Sequence, residues 1–257
     1  MMISDMHLIF GIHGMKITGS TYKFLFSIII PIYNEQEILP KTISSLTKII
    51  RNDPAAILVF VDDGSNDKSK SILKKFKSNS IKVITHVVNE GYGSALKTGI
   101  KHSKKMNCKY ALFMDSDLTN DPKDIPKFKQ YMKKDYDIIK ANRYGKKGAV
   151  FKFSLKRLLI SYFGRIILLR FFSNKIQDPT NGFRAIKLSL YEKIKLYDNS
   201  FSIIIEELFK FNDIECLKIK NIPVVLTKRD SKIKSSSFKY DFKTIFSYAK
   251  FILKMYK

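Results

Sequence analysis

A chain of 257 residues with 45% apolar content can bury one sizeable core and falls in the range of a single domain with peripheral additions. Its 47 basic residues against 23 acidic ones give a formal net charge of +24, which points to an anionic partner such as nucleic acid, a phosphorylated substrate or an acidic membrane. Two cysteines, Cys108 and Cys216, are too few for a disulfide framework and lack the paired spacing of a zinc site, so a reducing compartment is expected.

The stretch from Met1 to Phe26 carries Asp5 near its start, has no basic leader and is interrupted by Gly11, Gly14 and Gly19. It reads as an extension over residues 1–23 rather than a signal peptide. Short apolar runs then alternate with helical patterns: Ser27–Ile32, Ile57–Val61, Ile81–Val87, Tyr110–Met114 and Asp137–Ala141 are the predicted strands. Between the first two, Glu37–Ile50 places Ile38, Leu39, Ile43, Leu46, Ile49 and Ile50 at helical spacing. Strand and helix in alternation predict an α/β fold with a mostly parallel sheet, whose ligands bind beyond the carboxyl ends of the strands.

The residues at those ends are polar and specific. The first strand runs into Pro31-Ile32-Tyr33-Asn34-Glu35, the second into Asp62-Asp63-Gly64-Ser65-Asn66-Asp67, the fourth into Asp115-Ser116-Asp117. A lone Asp-x-Asp usually marks a turn or a helix cap. Three acidic loops on one edge of a sheet are hard to reconcile with ordinary surface. Asn89, Gly91 and Gly93 precede a helical pattern and would let backbone approach a ligand. Asp62 reads either as a turn brace or as a cap, Asp67 suits an N-cap, and Lys97 reads either as a ligand contact or as a solvated helix residue.

These motifs, SIIIPIYNE, VDDGSND, NEGYGSALKTG, DSD and NGFRAIK, occur in order from Ser27 to Lys187, and the chain resembles the family 2 glycosyltransferases of GT-A fold, particularly the polyprenyl-phosphate sugar transferases. The likeness spans about Phe26 to Lys234 and implies an inverting enzyme using a nucleotide-sugar donor of the GDP-mannose or UDP-glucose type. By resemblance, Pro31, Tyr33, Glu35, Asp63, Asn89, Gly91, Asp115 and Ser116 line the donor site. Asp115 and Asp117 then hold Mg²⁺ or Mn²⁺, hard cations suited to carboxylate oxygens. Thr119 stands where some lipid-linked relatives place a further residue of the metal shell.

The resemblance makes Arg143 in NRYG an anchor for an acceptor phosphate, a role suited to a two-pronged guanidinium. Arg184, Arg229 and Lys232 are implied contacts to donor or acceptor phosphates, although Asp230 stands where relatives usually carry a glycine. Asp117, Arg143 and Glu206 are the expected catalytic residues. A polyprenyl phosphate acceptor arrives ionised and needs no base, whereas a glycan or protein hydroxyl would require Glu206 or Glu207 to remove its proton.

Phe151–Phe172 carries Lys152, Lys156, Arg157, Arg165 and Arg170 along an apolar pattern, which argues against a spanning helix and for a basic amphipathic one at an anionic membrane surface. Phe238–Lys257 repeats the pattern. Either segment reads alternatively as a core helix with a solvated basic back. The expected organisation is therefore residues 1–23 as an extension, 24–235 as the catalytic domain and 236–257 as a basic helix, on the cytoplasmic face of a membrane. Nucleic acid is not an expected partner, because the basic residues are dispersed and accompany no base-stacking motif.

Overall fold

The computed structural model of the protein describes residues 16–17, 20–51, 53–76, 78–144, 149–150, 165–166, 169 and 175–226. Two short strands, β1 (Lys16–Ile17) and β2 (Ser20–Thr21), pair antiparallel with each other and stay outside the main sheet. The chain then runs through β3 (Phe24–Ile32), α1 (Leu39–Ile50), β4 (Ala56–Asp62), α2 (Ser69–Lys74), β5 (Ile81–Thr85), α3 (Tyr92–Lys105) and β6 (Cys108–Phe113). It continues with α4 (Ile125–Lys133), β7 (Ile138–Asn142), β8 (Ala149–Val150), β9 (Arg184–Lys187), α5 (Ile203–Asn212), β10 (Ile219–Pro223) and β11 (Val225–Leu226).

Seven strands form one sheet in the order β10-β7-β9-β6-β3-β4-β5. All neighbours are parallel except β9, which lies antiparallel between β6 and β7. Strand β3 shows why the sheet is covered on both faces. Its Ile28, Ile30 and Ile32 enter a core cluster with α1, α2 and α4, while Ile29 joins α3 and α5 on the other side. Alternate side chains point to opposite faces, so a strand apolar throughout must be buried twice.

Helix α1 buries Leu39, Thr42, Ile43, Leu46 and Ile50, spacing that aligns one face with the sheet. Ile43→Ala would cost about 2–5 kcal/mol through lost transfer energy and an unfilled cavity. The helix starts two residues later than its periodicity suggests, because Ile38 and Leu39 donate their N–H groups to the Glu35 carbonyl in a turn that precedes it. The third expected strand stops at Thr85, where His86 turns the chain and leaves Val87 almost fully exposed.

The topology fixes where a ligand can enter. From β3 the chain moves outward to β4 and β5, then returns to place β6 on the other side of β3. The order of the sheet therefore reverses at the β3–β6 boundary, where crevices open in doubly wound sheets.

Candidate active site

Proline creates the opening. Met114 donates its N–H to the Ile29 carbonyl, so Ile29 faces β6 and Pro31, two residues on, faces the same neighbour. Lacking an N–H, Pro31 cannot extend that ladder. Pairing with β6 ends at Ile29–Phe113 while pairing with β4 continues to Ile32–Asp62. The two chains part, with Tyr33 and Glu35 following one strand and Asp115, Ser116 and Asp117 the other.

The first two loops are locked together by their own polar groups. Asn34, at φ 55°, donates its N–H to Ser65 Oγ at 3.0 Å, and its Oδ1 accepts from the Asn66 N–H at 2.9 Å. The Glu35 N–H donates to Ser69 Oγ at 2.9 Å and the Gln36 N–H to Asp67 Oδ2 at 3.0 Å. Asp62 braces its turn by accepting from the Ser65 N–H at 3.2 Å. Asp67 accepts from the Ser69 N–H at 2.8 Å, one position ahead of the residue that caps α2. Burial opposes its charge, but the Ser69 hydroxyl, then these N–H donors, hold Asp67 below the usual carboxylate range.

Asp63 lies behind that pair of loops. Its Oδ1 accepts from His86 Nδ1 at 2.8 Å and the Glu90 N–H at 3.0 Å, and its Oδ2 from the Gly91 N–H at 2.9 Å. The opposite ring nitrogen of His86 meets Thr98 Oγ1 at 2.9 Å. The carboxylate thus holds the glycine loop, and a hydrogen bond to a nucleotide base would be additional to these three. The loop's small residues answer to protein backbone. Gly91 adopts φ 102° and a Cβ there would stand 2.3 Å from the Asn199 carbonyl oxygen, while the Gly93 N–H donates to that oxygen at 2.7 Å. Lys97 donates to Asn199 Oδ1 at 2.5 Å, which places it against the same segment.

The Asp-x-Asp loop is the open part of the site. Asp115 and Asp117 are half-buried, and among the described residues neither has an ion pair with a lysine or arginine. The carboxyl of Asp115 is pushed up to about 6 by burial, then by the neighbouring charge of Asp117. Tyr92 donates to Asp115 Oδ1 at 3.1 Å, and burial followed by the Asp115 charge keeps the phenol protonated. Thr119 donates both its N–H, at 3.0 Å, and its hydroxyl, at 2.8 Å, to Asp117 Oδ1. Leu118 between them sits at φ 57°, strained for a side chain of its size. Beneath the loop, the buried Thr42 hydroxyl lies 2.5 Å from the Ser116 carbonyl oxygen and tethers it to α1.

This pair fits a hard divalent cation. It offers carboxylate oxygens whose charges repel one another, and among the described residues no third His, Cys, Asp or Glu completes a cage. A cation held this way keeps positions for water and phosphate oxygens, as Mg²⁺ commonly does.

Four further expected residues, Arg143, Arg184, Glu206 and Glu207, are buried and paired, which corrects the roles expected of them. Arg143, 7% exposed, forms a two-pronged pair with Asp178 through Nε and one Nη, each at 2.7 Å, and donates to Thr180 at 2.5 Å. Burial opposes the Asp178 charge, yet Arg143 holds that carboxyl below its usual range. A guanidinium so engaged is part of the frame, not an open grip on phosphate. Arg184 is wholly buried, with Nε and Nη on Glu207 at 2.5 and 3.0 Å and its guanidinium carbon 4.2 Å from the Phe113 ring centroid. It cannot touch a phosphate from there.

Glu207 also accepts from the Tyr191 hydroxyl at 2.6 Å, and both Glu206 oxygens take backbone N–H groups of Tyr197 and Asp198 at 2.9–3.1 Å. Lys210 pairs with Glu206 at 2.9 Å. Neither glutamate is placed as a base: Glu206 fixes the segment that clasps the glycine loop, and Glu207 neutralises Arg184.

Lys140, Asp178 and His86 belong to this constellation although no motif covers them, and Asn181 and Tyr92 stand inside quoted motifs that assign them no role. Lys140 is wholly buried, donates to the Asn181 carbonyl and is lowered to about 7 by burial. No local signal marks Asp178, whose partner Arg143 stands 35 residues earlier in the chain. Arg229, Lys232, residues 227–257 and nearly all of 151–172 lie outside the described residues. Within the latter, Arg165 donates to the Gln177 carbonyl at 2.8 Å and stacks on Tyr144. No helix among the described residues is long and apolar enough to cross a membrane.

Comparison with known proteins agrees with this geometry. The chain is 31% identical over 236 residues to a dolichol-phosphate mannosyltransferase of Pyrococcus furiosus, covering 90% of this chain and 63% of that protein. An undecaprenyl-phosphate 4-deoxy-4-formamido-L-arabinose transferase of Pectobacterium atrosepticum is 33% identical over 133 residues, 49% of this chain and 39% of its own length. The chain thus spans less than two thirds of either relative. The fold is shared with glucosyl-3-phosphoglycerate synthase of Mycobacterium tuberculosis, determined with Mn²⁺, UDP and phosphoglyceric acid, at a TM-score of 0.63 and 14% identity over 88% of this chain and 75% of that one. The mixed seven-stranded sheet is accordingly the GT-A arrangement. Residues 27–195 match the model of glycosyl transferase family 2, and the chain belongs to that family.

Proposed function

We propose that this protein transfers a hexose, with inversion, from a nucleotide-diphosphate sugar to a polyprenyl phosphate at a membrane surface. The relatives named for dolichol phosphate and undecaprenyl phosphate supply the acceptor class, and the donor class is of the GDP-mannose or UDP-glucose type. The observation that carries the acceptor is the state of the two candidate bases. Glu206 is 2% exposed and Glu207 0%, each engaged by protein donors, so neither can take a proton from a hydroxyl. A phosphate monoester brings an ionised oxygen and makes no such demand.

Donor binding is assigned to the crevice between Tyr33–Glu35 and Asp115–Asp117, with Asp63 and the glycine loop as its wall. Asp115 and Asp117 would hold Mg²⁺ or Mn²⁺, which when bound neutralises charge on the departing nucleoside diphosphate. Arg229 and Lys232 are the proposed phosphate contacts from the C-terminal side. The basic segments 151–172 and 238–257 are proposed to meet anionic lipid, consistent with the net charge of +24.

Incubation with labelled nucleotide sugars, Mn²⁺ and a short polyprenyl phosphate, followed by solvent partition, tests this assignment. Label entering the organic phase supports it. Label reaching only soluble glycan or peptide hydroxyls would overturn the acceptor class.

A further inference from the structure

We propose that Tyr92 is a positioning residue for the metal-binding carboxylate, setting the orientation of Asp115 and leaving its Oδ2 for the cation. The inference rests on the assignment of Asp115 and Asp117 as the metal pair.

Three observations converge on it. The phenol has a single proton, and its nearest acceptor is Asp115 Oδ1 at 3.1 Å. A carboxylate turns freely about its last bond unless one oxygen is held, so this bond selects which oxygen faces the crevice. The other oxygen, Oδ2, lies beside Gly182, where an added Cβ would stand 3.4 Å from Oδ2 and 3.4 Å from the Tyr92 hydroxyl. The glycine of NGFR thus keeps side-chain atoms out of contact with both Oδ2 and the phenol.

The phenol is itself immobilised. Its ring stacks on Phe201 with centroids 4.3 Å apart and planes 23° from parallel. Tyr92 opens α3, whose next residue donates its N–H to Asn199. Asn199 belongs to the turn that Glu206 fastens through Tyr197 and Asp198. A buried glutamate, a stacked ring and a phenol therefore connect the segment before α5 to the Asp-x-Asp loop. Partners that orient a metal ligand typically change metal affinity by 10–100-fold when removed.

Tyr92→Phe keeps the ring and its stack on Phe201 and removes only the hydrogen bond. Free Mn²⁺, measured by electron paramagnetic resonance during titration of the full chain with UDP present, is expected to report a Kd raised on the order of tenfold. The Mn²⁺ concentration giving half-maximal turnover should rise in parallel, while kcat at saturating Mn²⁺ falls less. Phe201→Leu retains the phenol but loosens its ring, and is expected to raise the Kd by about threefold.

Parent-like Mn²⁺ binding in a folded Tyr92→Phe protein would overturn the inference. Should that variant not fold, parent-like binding in Phe201→Leu overturns it instead. Asp117→Asn measured alongside separates the two levels: if it loses Mn²⁺ while Tyr92→Phe does not, only the role of Tyr92 fails. If Asp117→Asn binds Mn²⁺ like the parent, the metal assignment falls and takes this inference with it.

Discussion

Two charged regions of the molecule are built in opposite ways. Below the sheet's carboxyl edge, Arg143 faces Asp178 and Arg184 faces Glu207, each cation matched by a carboxylate in a fork of short hydrogen bonds. At the edge itself, Asp115 and Asp117 repel one another and among the described residues form no ion pair with a lysine or arginine, the buried Arg184 acting on Asp115 only through its field, in a chain carrying 47 basic residues. Cations are abundant, so the lack of an ion pair here is a feature of placement rather than of composition. The buried region is a closed electrostatic frame, and the open pair is the one that the proposed divalent cation would balance.

Breaking the closed region should have the largest effect. Glu207→Ala leaves Arg184 charged and unpaired in the core, and is expected to cost about 3–5 kcal/mol in denaturant unfolding. Replacing both partners together, Arg184→Met with Glu207→Leu, should recover most of that loss, since apolar residues of similar volume often substitute for a buried pair. A double variant as unstable as the single one would mean that the pair contributes more than mutual neutralisation.

The open pair should behave in reverse. Asp117→Asn is expected to leave unfolding within about 0.5 kcal/mol of the parent. Its Mn²⁺-dependent turnover should fall by on the order of 10²-fold, as a ligand charge is lost. A large stability loss with Mn²⁺ dependence intact would place Asp117 in the frame instead.

A smaller effect separates Lys140 from both regions. Its ammonium is wholly buried and lowered to about 7, so the folded state releases this proton before the unfolded chain does near 10. A group with a depressed folded value favours the folded state above its unfolded value, and loses that contribution as pH falls through about 7. Between about 7 and 10, parent stability should therefore rise with pH relative to Lys140→Met, measured as a difference in unfolding free energy at each pH. A constant difference across that range would show that Lys140 keeps its charge. The smallest effect is expected at the tether under the loop: Thr42→Val removes one buried hydrogen bond to Ser116, worth about 1 kcal/mol, and should shift thermal unfolding by a few degrees.

The same contrast governs what could be read without coordinates. The open region is legible because strand ends are local features: Pro31-Ile32-Tyr33-Asn34, Asp62-Asp63 and Asp115-Ser116-Asp117 each follow an apolar run, and parallel topology gathers them. The closed region is not, because its pairs join residues 23 to 35 positions apart with no periodic signature. Strand β9 illustrates the difficulty. Its four residues, Arg184–Lys187, begin and end with a cation and give no alternation to detect, yet they fill the gap between β6 and β7 and carry Arg184 into the core. Arg143 and Arg184 are expected to contact phosphates because the family resemblance places them there. Burial reversed that expectation.

The glycine loop shows a subtler case. NEGYGSALKTG marks a place where backbone must come close, and the partner it meets is Asn199 rather than a ligand alone. Spacing reveals that room is needed and is silent on what occupies it.

Calorimetric titration of UDP and GDP into the 257-residue chain, with Mn²⁺ and then with EDTA, tests the central claim most directly: that the Asp115–Asp117 pair receives the donor diphosphate through a divalent cation. One of the two nucleotides should bind with Mn²⁺ present, weaken on the order of tenfold or more in EDTA, and show the same weakening in Asp117→Asn with the metal retained. Equal nucleotide affinity with and without the metal, in both parent and variant, would contradict the account.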